Sequence, residues 1–126
     1  MKYTIDRQDK YNTIKVENEK LDSTLAPELK SELLALQTQG VQNVIVDLSD
    51  VKYIDSSGLS SLLVGNRVIN ENGGTFILAA VSDHVMKLIS ISQLDKVLSI
   101  VPTVEEAVDA VFFLEIENGL TGESEA

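Results

Sequence analysis

The residues able to do chemistry lie close together in the middle of the chain, in Asp47-Leu48-Ser49-Asp50-Val51-Lys52-Tyr53-Ile54-Asp55-Ser56-Ser57-Gly58-Leu59. An apolar β-branched run, Val41 to Leu48, leads into this stretch, and a helix-like pattern follows it. Ser56 therefore falls where a strand hands over to a helix, at or beside the N-cap, and Gly58 lets another backbone come close. The unpaired N–H groups of a helix start can receive an anion, so a phosphate placed on Ser56 could be held there. Asp55 beside it would make that phosphate electrostatically uncomfortable, which suits a site that alternates between modified and unmodified forms. The blander reading is that Ser56 is only a cap, since a serine before a helix usually is one and Asp-Ser-Ser-Gly occurs by chance in loops.

Other chemistries find little support. A serine hydrolase is a weak alternative: a nucleophile elbow needs Gly-x-Ser-x-Gly and a histidine base, whereas the local string is Ile-Asp-Ser-Ser-Gly. The single histidine, His84, reads as an exposed polar residue at the start of a later helix. With no cysteine there is no thiol nucleophile, disulfide or cysteine metal site. Asp47, Asp50 and Asp55 are spaced too irregularly for a calcium loop. Gly73-Gly74 stops a helix, and no Gly-x-x-x-x-Gly-Lys-Ser/Thr phosphate cradle exists. No catalytic residue, metal or cofactor is assigned. Lys52 and Tyr53 are equally readable as contacts or as surface decoration.

The elements that must position Ser56 follow from periodicity. Lys2–Arg7 and Tyr11–Glu17 alternate loosely around a polar turn and predict a hairpin. Leu21-Asp22-Ser23-Thr24 opens a helix with Pro27 in its first turn, apolar positions at Leu25, Leu29, Leu33 and Leu36, and Gly40 at its end. Val41–Leu48 and Thr75–Val81 read as strands covered on both faces. Helices are expected over about Ser57–Asn72, Asp83–Ser90 and Val104–Glu117, the last with Thr103 as cap and Glu106 as its capping-box partner, and a short strand over Val97–Val101. The order β-β-α-β-α-β-α-β-α predicts an α/β fold, a mixed sheet of about five strands with about four helices. Residues 1–117 form one domain in this reading, and residues 118–126 an acidic, disordered tail.

The chain has 126 residues and a net charge of −10, from 20 acidic and 10 basic side chains. That balance argues against nucleic acid and against an anionic membrane surface as direct partners. Past Lys96 there are seven acidic residues and no basic one. These read as a solvated helix face and tail. The N-terminus is polar and the apolar runs are far shorter than the ~20 residues a spanning helix needs, so a soluble cytoplasmic protein is expected.

The motif from Asp47-Leu48 to Asp55-Ser56-Ser57-Gly58-Leu59 resembles the signature of the STAS domain, the family of sulfate transporters and anti-sigma factor antagonists. The resemblance takes in the N-terminal hairpin, Leu21-Asp22, Gly73-Gly74 with its following strand, Ser82, Val85, Leu88, Ser92-x-Leu94 and the last helix, roughly Met1 to Glu117. The stand-alone length points to the anti-sigma factor antagonist branch. That branch implies a partner switch. The unmodified domain binds an anti-sigma factor that is also a serine kinase, and so frees a sigma factor. The kinase, using ATP and magnesium, phosphorylates the serine after the aspartate, which is Ser56, and ends the association; a metal-dependent serine phosphatase reverses this. The domain itself would not be an enzyme. Asp22, Asp55, Ser57, Gly58 and Leu59 match the partner-binding loops. Two departures stand out: Glu19-Lys20 replace the frequent Gly-Glu before Leu21-Asp22, and Gln93 stands where glycine is common. The alternative within the family is a module that is never phosphorylated, in a stress-signalling scaffold or a lipid-transport system.

Overall fold

The computed structural model describes residues 3–125, with side chains only through 117; the side chains of the tail expected over 118–126 lie outside the described ones. Strands β1 (Tyr3–Arg7) and β2 (Asn12–Val16) form the hairpin, closed by the Gln8 N–H donating to the Tyr11 carbonyl at 2.9 Å. The chain continues through β3 (Lys20–Leu21), α1 (Ala26–Thr38), β4 (Asn43–Asp47), β5 (Tyr53–Ile54), α2 (Ser56–Glu71), β6 (Thr75–Ala79), α3 (Asp83–Ile91), a 3₁₀ turn (Leu94–Lys96), β7 (Ser99–Val101) and α4 (Val104–Glu125). The main sheet has five strands in the order β1-β2-β4-β6-β7, antiparallel at the hairpin and parallel elsewhere. The mixed sheet and four helices agree with the expected fold.

Central strands covered on both faces explain the near-continuous apolar runs. On β4, Val44 and Val46 face a large core with Leu29, Leu33 and Leu36 of α1 and Leu62 and Ile69 of α2. Ile45 between them faces the other way, into a smaller core with Ile77, Ala79, Ala107 and Val111 beneath α4. Phe76 and Leu78 of β6 repeat the alternation. Each such fully buried side chain contributes about 1.5–3 kcal/mol relative to exposure. Gly65 lets α2 approach closely: a Cβ there would lie 2.6 Å from Leu33 Cδ1 and 2.8 Å from Phe76 Cε1.

The structure departs from the sequence expectations in particular places. The two-residue strands β3 and β5 form a second small sheet, where only loop was expected. Helix α1 starts at Ala26, and Leu25 is its buried N-cap. The capping box of α4 is half closed: Thr103 Oγ1 accepts the Glu106 N–H at 3.0 Å, and among the described residues the Glu106 carboxylate makes no return bond. The outer side of the acidic C-terminal segment is not wholly polar: Phe113 and Ile116 stand out from α4 at 63% and 64% exposure. Gln93 sits at φ +61°, the left-handed region that glycine occupies without cost, which gives the glycine departure a physical meaning.

Candidate functional site

The small sheet builds the site. Strands β3 and β5 run parallel with Lys20 opposite Tyr53 and Leu21 opposite Ile54. The Lys52 and Tyr53 N–H groups both donate to the Glu19 carbonyl, at 2.8 and 3.0 Å. Leu21 and Ile54 are buried in the main core and anchor the pair. The next residue on each strand is an aspartate, so Asp22 and Asp55 leave the sheet side by side, with the Asp55 N–H directed at the Leu21 carbonyl, 3.4 Å away.

The two aspartates then do different local work. Asp22 Oδ1 accepts from the Thr24 hydroxyl at 2.6 Å and from the Thr24 N–H at 3.0 Å, closing a turn before α1. The Thr24 hydroxyl, then the Thr24 N–H, holds the Asp22 carboxyl below the usual carboxylate range, because both bonds favour the charged form. Asp55 is the N-cap of α2: its backbone is extended and its Oδ1 accepts the Gly58 N–H at 3.0 Å.

Ser56 is therefore not the cap, which corrects the blander sequence reading. It is the first residue of α2, it is exposed, and its hydroxyl makes no hydrogen bond within the described residues. Its N–H and that of Ser57 belong to the first helical turn and have no intrahelical acceptor. Ser57 is half-buried, and Leu59 packs against the main core. Gly58 is buried for a steric reason: a Cβ there would collide with the Leu21 carbonyl oxygen and lie 2.6 Å from Ile54 Cγ1. The α2 start is thus pressed directly onto β3 and β5.

The structure brings Asp22, Asp55, Ser56, Ser57, Gly58 and Leu59 to one end of the molecule. His84 is exposed on α3 and forms no hydrogen bond with Ser56. Asp47 Oδ1 accepts the Ser49 N–H at 2.9 Å, and Asp50 makes a 3.8 Å ion pair with Lys15, so these carboxylates belong to loop structure. Among the described residues no group of three or more metal-ligating side chains could hold an ion. Sequence reasoning missed one feature beside Ser56. A cleft of about 420 Å³ between the starts of α1 and α2 is lined by Ser23, Ala26, Lys30, Ser56, Ser57 and Ser60, among others. Its signal was the i, i+4 spacing: Ala26 and Lys30 on one helix, Ser56 and Ser60 on the other.

Comparison with known proteins agrees with this geometry. The STAS domain family model matches residues 5–107. An anti-sigma-B factor antagonist of Staphylococcus aureus (strain NCTC 8325 / PS 47) is 31% identical over 93 residues, covering 74% of this chain and 85% of that protein. A crystal structure of an anti-sigma factor antagonist from Mycobacterium paratuberculosis aligns with a TM-score of 0.77 at 25% identity, over 86% of this chain and 92% of that one. An anti-sigma-factor antagonist (STAS) domain protein from Planctomyces limnophilus aligns with a TM-score of 0.78 at 26% identity, over 86% and 97%. The chain belongs to the STAS domain family, and its relatives are anti-sigma factor antagonists.

Proposed function

We propose that this chain is a non-catalytic partner switch, an anti-sigma factor antagonist whose binding is ended by phosphorylation of Ser56. The observation that carries this reading is the freed Ser56 hydroxyl: Asp55 takes the capping role, and the serine stands exposed beside Asp22 and Asp55 at a helix start. A phosphoacceptor has to enter a kinase active site, and a hydroxyl held in a cap would first lose its bond. The partner-binding surface is the pair of loops tied by β3 and β5, with Asp22, Asp55, Ser57, Gly58 and Leu59 on or beside it.

The partner is an anti-sigma factor with serine kinase activity, using ATP and magnesium, and a serine phosphatase restores the binding form. The exchange takes place in the cytoplasm, and no helix among the described residues is long and apolar enough to cross a membrane. A phosphate adds roughly two negative charges at pH 7 next to two carboxylates. A penalty of about 2 kcal/mol there weakens binding some thirtyfold.

The test uses the anti-sigma factor kinase from the same cell. Ser56→Ala should bind it like the parent and resist phosphorylation, while Ser56→Asp should bind tens of fold more weakly. Phosphorylation of Ser56→Ala at the parental rate would falsify the assignment.

A further inference from the structure

The cleft between α1 and α2 places one cation among hydroxyls. Ala26, Pro27 and Lys30 share one face of α1, since they are three and four residues apart. Ser56 and Ser60, with Ser57 and Ser61 beside them, repeat that spacing on α2. Lys30 is the single charged side chain lining the cleft. It is exposed, and it forms no ion pair among the described residues, although the chain has twice as many acidic as basic side chains. Ser61 is buried and its hydroxyl is spent on the Gly58 carbonyl at 2.7 Å, which leaves the other serines and Lys30 to line the space. On the loop side Ser56 meets the opposite charge, from Asp55 next to it and Asp22 across the β3–β5 pair.

We infer that the phosphate of modified Ser56 turns into the α1–α2 cleft and pairs there with the Lys30 ammonium. The inference rests on Ser56 as the phosphoacceptor and adds where the phosphoryl group goes. Repulsion from Asp22 and Asp55 drives the dianion away from the partner loops, and Lys30 is the counter-charge on the other side. A cleft of about 420 Å³ has ample room for a phosphate. A lysine suits the task, being a flexible point charge that follows a group which is present only part of the time. The modified state is then stabilised by this chain's own α1 as well as disfavoured at the partner surface.

The experiment installs phosphoserine at position 56 during translation, so that it needs no kinase, and follows its phosphorus resonance against pH. Phosphoserine loses its second proton near pH 6. The parent should titrate about half a unit lower than Lys30→Gln, a roughly threefold change in that protonation constant, and the difference should shrink as salt rises. Lys30→Arg should restore the parental titration. Lys87→Gln removes an exposed charge from α3, outside the cleft, and should leave it unchanged. A parental titration in Lys30→Gln, or an equal shift in Lys87→Gln, overturns the inference. Failure of a cellular kinase to modify Ser56 would instead count against the proposed function, since the titration does not depend on that enzyme.

Discussion

Helices α2 and α3 both begin after a strand, with an extended residue as N-cap, yet they use serine in opposite ways. At α3, Ser82 is the cap, and its hydroxyl accepts the Val85 N–H at 3.4 Å. At α2 the aspartate is the cap, and the serine is moved one position into the helix with its hydroxyl free. The third helical residue differs too. In α3 it is Val85, fully buried in the main core; in α2 it is Gly58, whose missing side chain lets the helix rest on β3. One start is a structural cap with an apolar anchor. The other keeps the same backbone device and leaves the serine hydroxyl exposed and without a bond among the described residues. A helix-capping serine and an exposed serine one residue inside the helix can therefore look alike in a local string.

The largest effect that would sharpen this contrast is at Gly58. Gly58→Ala forces a methyl against the Leu21 carbonyl and the Ile54 side chain. It should cost about 2–3 kcal/mol in urea unfolding, at the upper end of overpacking penalties, because the obstacle includes backbone. An unchanged midpoint would mean that α2 is not pressed onto β3. Next come the caps. Asp55→Ala should lose about 1 kcal/mol, and Ser82→Ala no more than that, its bond being longer. Ser56→Ala should stay within about 0.5 kcal/mol of the parent, as expected for an exposed side chain without a bond. If Ser56→Ala destabilised the protein as much as Ser82→Ala, the two serines would be equivalent and the comparison would collapse.

The smallest effect is the pH dependence of the Asp22 turn. Its carboxyl is held below its ordinary value in the folded protein. Its contribution is therefore complete above the unfolded value near ~4 and is lost as pH falls through the folded one. The stability difference between the parent and Asp22→Asn, measured by urea unfolding from pH 6 to pH 3, should shrink only in the acid part of that range. A constant difference would show that the Thr24 bonds do not depend on the charge.

How much of this was legible in the sequence depended on length of pattern. Strands β4 and β6 announced themselves because burial on both faces demands an unbroken apolar run. The helices showed in their three- and four-residue spacing. The site was legible as a motif, with Asp22 and Asp55 placed together by resemblance. Strands β3 and β5 were not, since two residues carry no periodicity and their pairing depends on residues more than thirty positions apart. The choice between Asp55 and Ser56 as cap was also closed to sequence, because both types cap well and a single residue of offset decides it. The exposed Phe113 and Ile116 were hidden by a segment whose acidic count suggested solvent. The Lys30 cleft needed two helices to face each other before its spacing meant anything.

The pairing of β3 with β5 also has a dynamic consequence. The two strands are so short that neither has a ladder of its own to fall back on, and each borrows its order from the other. Fraying one removes the acceptors of the other: the Glu19 carbonyl serves Lys52 and Tyr53, and the Leu21 carbonyl faces Asp55. The loops bearing Asp22 and Ser56 should then open and close as one cooperative unit, with matched hydrogen-exchange protection at Tyr53 and Asp55. An enzyme that must draw Ser56 into its active site would release Asp22 in the same movement. In the proposed partner switch, the grip on a partner and the access of a kinase would then be governed by a single opening equilibrium.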